Sequence, residues 1–191
     1  MFLESQINHQ MHNGIIEVIW GSMFSGKTEE LLRRIKRAEF TKLTIAVYKP
    51  KGDKRYDKQK VVSHNDNNIE AVAIESAKDI LKLNKQIQIV AIDEAQFFNS
   101  ELISVCTKLA NSGIRVIIAG LDMDFLGKPF GVMPDLLAIA ERITKVHAIC
   151  IDCGAIANHS FRKTNNKNLI KIGEKEEYKP LCRVCFSRKM N

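Results

Sequence analysis

The chain has 191 residues, 45% hydrophobic and 27% charged, which suits one buried core with a small appendage. It has no run of 18 apolar residues, so no membrane-spanning helix is expected, and its opening MFLESQINHQMHNG lacks the basic flank and apolar core of a secretory signal, which makes the cytoplasm the default address. The net charge of +7 invites nucleic acid as a partner. However, the lysines and arginines are spread along the chain without basic-aromatic alternation, so the charge reads as solvated surface plus a site for anionic phosphates.

In chain order, residues 15–20 form an apolar, β-rich run ending at a glycine. Residues 28–40 read as a helix, with Leu31, Leu32, Ile35 and Ala38 at helical spacing and charges between them. LTIAVYK (43–49) is a second buried strand, broken by Pro50 and Gly52 and followed by a basic loop. VVSH (61–64) and IEAVAI (69–74) are short strands. SAKDILKLN is a helix with Ser76 at its cap. IQIVAID (87–93) is a strongly apolar strand. A helix runs from Ser100 to Gly113, a buried strand over 114–120, and another helix over 133–143, from which TKVHAIC leads away. Apolar strands alternating with helices predict an α/β fold: a largely parallel sheet covered on both faces, with ligands beyond the carboxyl ends of its strands. Near residue 149 the rhythm gives way to cysteine pairs around a polar middle, NHSFRKTNNKN. The expected domains are therefore 1–148 and 149–191.

Gly21-Ser22-Met23-Phe24-Ser25-Gly26-Lys27-Thr28 satisfies the phosphate-loop pattern G-x-x-x-x-G-K-[ST], with a strand before it and a helix after it. Its glycines let backbone N–H groups face phosphate oxygens, and the helix adds the positive end of its dipole. Lys27 is expected to reach the β- and γ-phosphates of ATP, and Thr28 to offer its hydroxyl to Mg²⁺. The apolar strand before DEAQFF ends in Asp93-Glu94. Asp93 suits magnesium, and Glu94 suits a general base acting on a hydroxyl or on water. This pair alone leaves two classes open: a kinase acting on a small hydroxyl acceptor, and a P-loop ATPase acting on nucleic acid. The short chain speaks against the motor, which generally needs a second lobe or a ring. His64 reads as a surface histidine rather than a base.

Cys150-x-x-Cys153 and Cys182-x-x-Cys185 lie 28 residues apart. Two such knuckles in a cytoplasmic chain predict a closed, four-thiolate structural zinc site. The metal would pin both ends of a polar loop that core burial could not order. Cys106 stands alone on the apolar side of a helix and reads as a small buried hydrophobe.

A phosphate loop containing Met-Phe, DEAQFF, AGLDMDFLGKPFG, and a tyrosine four residues before the closing Cys-x-x-Cys together resemble the cytosolic, zinc-containing (type II) thymidine kinase family. The resemblance runs from about Gly14 to Lys189. It implies a P-loop (RecA-like) parallel sheet flanked by helices, with a small C-terminal zinc-binding lasso domain. It also implies phosphorylation of thymidine, and of deoxyuridine, at the 5′-hydroxyl. Glu94 would be the base. Lys27 and Arg55 would stabilise the transferring charge, with Asp53 near the phosphates and Gln96 at the edge of the phosphate site. Met23, Phe97, Leu121, Phe125 and Phe130 would line the pocket for the base of the nucleoside. The lasso would hold the pyrimidine by main-chain groups around Leu169, Ile170, Lys171, Ile172 and Gly173, with Tyr178 near the sugar. The resemblance further implies a homotetramer and feedback by dTTP. Two departures stand out: Lys171 replaces a residue that is usually apolar, and NHSF replaces an aromatic-Thr pair, with Ser160 in place of the threonine.

Overall fold

The computed structural model describes residues 14–51, 60–62, 68–82, 86–164 and 177–190. The N-terminal tail, Asp53, Arg55, His64 and residues 169–173 lie outside the described residues.

Six parallel strands form the main sheet: β1 (Ile16–Gly21), β2 (Ile45–Pro50), β5 (Val72–Ile74), β6 (Ile89–Ile92), β7 (Arg115–Leu121) and β8 (Arg142–Lys145). Their spatial order is β5-β2-β6-β7-β1-β8. All five pairings are parallel. Two short strands, β3 (Lys60–Val62) and β4 (Asn68–Glu70), pair with each other away from this sheet. One strand, β7, stands between the glycine-loop strand β1 and the acidic strand β6, which is the RecA-like arrangement.

The sheet is apolar on both faces because its side chains alternate. Val18, Val90, Ile92, Val116 and Ile118 enter one core, shared with α2 (Glu101–Asn111) and α3 (Met133–Ile139). Ile19, Ile89, Ala91, Ile117 and Ala119 enter the other, against α1 (Lys27–Glu39). Leu31, Leu32, Ile35 and Ala38 are the face that α1 buries. Glu29 and Glu30 in its first turn and Lys36 and Arg37 in its last complement the helix dipole. Cys106 is fully buried, and burial pushes its thiol up to about 12, so it is the inert hydrophobe expected.

Near the amino ends of these strands lies a buried ionic knot that the sequence does not announce. Glu17, 2% exposed, accepts from Arg34 Nη1 at 2.7 Å and from Arg115 Nε at 2.9 Å, with Arg142 at 3.6 Å. Arg34 also donates to Glu30 and Thr144. A buried carboxylate needs such partners.

The structure corrects several expected boundaries. The helix expected over 133–143 stops at Ile139, and 142–145 is the edge strand β8. IEAVAI is not one strand: Ala71 separates β4 from β5, and the two join different sheets. SAKDILKLN forms a 3-10 turn, Ala77–Lys82, with Ser76 Oγ accepting from Lys78 N. The helix expected from Ser100 to Gly113 spans Glu101–Asn111, and Asn99 Oδ1 accepts from Glu101 N at its start.

The C-terminal region has a third core made of Ala148, Cys150, Ala157, Leu181, Cys182 and Phe186. Strands β9 (Ala148–Ile149) and β10 (Ile156–Ala157) pair antiparallel, as do β11 (His159–Arg162) and β12 (Tyr178–Leu181). Helix α4 (Arg183–Met190) follows. Among the described residues no helix is long and apolar enough to cross a membrane.

Candidate active site

The site lies beyond the carboxyl ends of β1, β6 and β7. The glycine loop leaves β1 where the backbones are closest: a Cβ on Gly21 would meet the carbonyl oxygen of Val146 at 2.2 Å. Phe24 and Gly26 take positive φ, 64° and 82°, which curls the loop over the start of α1. Lys27 is buried and reaches back to the Ser22 carbonyl at 2.7 Å, which also accepts from Ser25 Oγ. The ammonium is thus held over the concave side of the loop, where phosphate oxygens would bind.

Strand β6 delivers Asp93 and Glu94 beside this loop. Thr28 donates its hydroxyl to Asp93 Oδ2 at 3.3 Å, although the two lie 65 residues apart. The other carboxylate oxygen of Asp93 accepts from the Glu94 N–H at 2.9 Å. Glu94 is 9% exposed and sits in the left-handed region, φ 53° and ψ 41°. A non-glycine residue held there costs on the order of 1–3 kcal/mol, and such positions cluster at functional sites. Its carboxylate accepts from Gln96 Nε2 at 2.5 Å. Gln96 Oε1 in turn accepts from the Leu121 N–H at 2.9 Å.

The candidate pocket residues fall into two groups. Phe97 meets Phe130 edge-on, with ring centroids 5.7 Å apart. Phe125 lies under the Arg162 guanidinium at 3.7 Å, and Arg162 donates through Nε and Nη2 to the Tyr178 hydroxyl at 3.0 and 2.6 Å. Arg162 and Tyr178 are partners across β11–β12, at the base of the expected lasso. The loop after β7 folds on itself through Asp124, whose Oδ1 accepts from Leu126 N and Lys128 N. Met23 ties the glycine loop to the C-terminal region: its N–H donates to Ser160 Oγ at 2.9 Å. Ser160 thus has a definite polar task in the position where the resemblance expects a threonine. The Phe24 side chain packs against the C-terminal core.

Sequence reasoning missed Arg162, the Gln96 bridge and the glycines that make room for it. Arg162 sits in a polar stretch that gave no motif. Asp122 is buried beside Lys145 at 3.4 Å, and His159 is buried and stacked on Phe186 at 4.4 Å. Burial, then the nearby Arg183 charge, lowers the His159 pKa.

The four cysteine sulfurs lie within 4.8 Å of one another, and Cys153 and Cys182 are 3.6 Å apart. A tetrahedral zinc with bonds of about 2.3 Å needs sulfurs about 3.8 Å apart, so the set fits such an ion. Burial acts to raise the Cys150 thiol, but hydrogen bonds, first from the Cys182 backbone, bring it down to about 6. The neighbouring Cys153 and Cys182 thiols push Cys185 up to about 12. Sulfurs crowded this closely compete to carry negative charge, which a bound cation would relieve. His147, near this cluster in sequence, meets Asn158 Oδ1 through Nδ1 at 2.6 Å.

A glycine loop on β1, an acidic pair on β6 and an inserted β7 define a phosphate-loop nucleotide-binding protein. The comparisons narrow the class. The sequence model of the thymidine kinase family matches residues 14–186. A thymidine kinase of Bacteroides fragilis is 53% identical over 188 residues, covering 98% of this chain and 94% of that protein. One from Porphyromonas gingivalis is 50% identical over 190 residues, covering 98% and 93%. One from a Rhodothermus species is 49% identical over 180 residues, covering 94% and 84%. The chain belongs to the thymidine kinase family.

Proposed function

We propose that the protein transfers the γ-phosphate of ATP to the 5′-hydroxyl of thymidine, giving dTMP, and accepts deoxyuridine as well. The observation that carries this reading is the placement of Glu94. A buried carboxylate on strained backbone directly follows Asp93, which is hydrogen-bonded to Thr28 of the phosphate loop. A base so placed can take a proton from an acceptor hydroxyl beside the terminal phosphate. Family membership, with similarity over nearly the whole chain, favours a nucleoside acceptor over the nucleic-acid motor.

The protein contributes positioning and charge. Backbone groups of Gly21 to Thr28 cradle the phosphates, and Lys27 moves from the Ser22 carbonyl to the β- and γ-phosphates. Magnesium, held by Thr28 and Asp93, would neutralise phosphate oxygens. Arg55 and Asp53, outside the described residues, keep the roles near the phosphates that the resemblance gives them. Met23, Phe97, Leu121, Phe125, Phe130 and Tyr178 form the nucleoside pocket. Residues 169–173, also outside the described residues, keep the role that the resemblance gives them, holding the pyrimidine by main-chain groups, and a closed site would exclude water that wastes ATP. Zinc on Cys150, Cys153, Cys182 and Cys185 would be structural, anchoring both ends of that segment. The enzyme works in the cytoplasm as a homotetramer, with dTTP as feedback inhibitor.

The test follows the label. With ATP labelled at the γ-phosphate, label should appear in dTMP. Glu94→Gln should lower kcat by about 10²–10⁴-fold while both substrates still bind. Label released only as inorganic phosphate would refute the proposal.

A further inference from the structure

We propose that Gln96 is the positioning residue for the general base: it fixes Glu94 Oε2 and so assigns the substrate proton to Oε1. The inference rests on the reading of Glu94 as the base.

The argument begins with the orientation of an amide. Gln96 is 3% exposed and bridges two groups. On one side is the Leu121 N–H, a group that can only donate, 2.9 Å from the Gln96 side-chain oxygen. That contact fixes which way the amide points. Its NH₂ therefore faces Glu94 Oε2. Turning it over would set donor against donor at Leu121 and oxygen against oxygen at Glu94.

An amide NH₂ donates and does not accept. Glu94 Oε2 must therefore act as an acceptor in both protonation states of the carboxyl group. A proton arriving on the carboxylate is therefore directed to Oε1, because the oxygen left unprotonated is the better acceptor for the Gln96 NH₂. In the reaction the O–H bond of the 5′-hydroxyl breaks and its proton goes to Oε1. The hydroxyl oxygen bonds to the γ-phosphorus. The bond from that phosphorus to the β-phosphate bridging oxygen breaks, and ADP leaves with the electron pair. Oε1 must face the acceptor for this to happen, and the Gln96 bond sets that rotation.

Two glycines leave room for Gln96 where it stands. A Cβ on Gly131 would lie 2.3 Å from the backbone carbonyl oxygen of Gln96. A Cβ on Gly120 would lie 3.0 Å from Gln96 Oε1 and 2.5 Å from Met133 Sδ. Gly131 thus makes space for the Gln96 backbone, and Gly120 for its side chain. Its second partner matters for a further reason. Leu121 belongs to the proposed nucleoside pocket, so the amide joins the acceptor pocket to the base through two hydrogen bonds. The resemblance places Gln96 at the edge of the phosphate site; the geometry has it act through Glu94.

The test uses two substitutions in the full chain. Gln96→Glu keeps an acceptor for the Leu121 N–H but sets a carboxylate against Glu94. Gln96→Met keeps similar volume and makes neither bond. Both should slow single-turnover phosphoryl transfer by about 10–100-fold, the scale expected for a misplaced reacting group. Affinities for ATP and thymidine should stay within about threefold. Loss of ATP affinity with an unchanged transfer rate would make Gln96 a phosphate ligand and overturn the assignment. Unfolding of both variants, or full transfer rates in both, would overturn it too. Glu94→Gln, run alongside, separates the failures. If it retains activity, the general-base reading fails. If it collapses while both Gln96 variants transfer normally, only the positioning role fails.

Discussion

Replacing Arg162 with Met should damage nucleoside binding far more than ATP binding. Arg162 is 5% exposed, stacks 3.7 Å over Phe125 and gives two donors to the Tyr178 hydroxyl. Met keeps much of the aliphatic stem and removes the guanidinium. Hydrogen bonds from a charged group are worth roughly 1.5–3 kcal/mol, and a desolvated cation–π contact about 2. These terms are not additive, so a local loss of roughly 2–4 kcal/mol is expected. If about 2 kcal/mol of it reaches the pocket, KM for thymidine rises about 30-fold. KM for ATP should stay within about threefold, because the phosphate loop is held by other contacts. The assay is steady-state kinetics of Arg162→Met, Tyr178→Phe and the double variant. The cycle should show a coupling of about 1–2 kcal/mol in kcat/KM for thymidine. Additive effects, or a loss confined to ATP, would refute the reasoning.

Gly131→Ala should lower kcat by about tenfold or more, since its Cβ would press on the Gln96 carbonyl at a φ of +54°. Gly154→Ala, with positive φ but nothing within 4 Å of the added atom, should lose only modest stability and keep its kinetics. Glu17→Ala should cost roughly 3–5 kcal/mol in urea unfolding, because Arg34 stays buried without this carboxylate. Its kinetics should change little, as Glu17 lies four residues, about 13 Å, along β1 from the glycine loop. Metal analysis should find one zinc per chain. Chelation, or Cys182→Ser, should lower the melting temperature and loosen residues 148–190, seen as faster hydrogen exchange.

Much of the site was legible because its chemistry sits in contiguous motifs. The phosphate loop must be local to curl, and Asp93-Glu94 must end a strand to reach it. The two Cys-x-x-Cys pairs announce themselves by spacing. What the sequence hid depends on distant partners. Met23 and Ser160 meet across 137 positions, and Gln96 and Leu121 across 25. The Glu17 knot joins four elements through charges that each look like surface. The missed strand β8 has a physical cause as well. It is a half-exposed edge strand of four residues, RITK, soon after a helix whose apolar spacing continues into it. The break at Ala71 was hidden because IEAVAI reads as one short strand, although β4 and β5 pair with different partners.

The most direct test is the ratio of ATP consumed to dTMP formed, measured with thymidine, without nucleoside, and with single-stranded DNA in its place. The account predicts one ATP per dTMP with thymidine, and neither appreciable ATP turnover without it nor stimulation by DNA. ATP hydrolysis stimulated by DNA, with no dTMP formed, would contradict it.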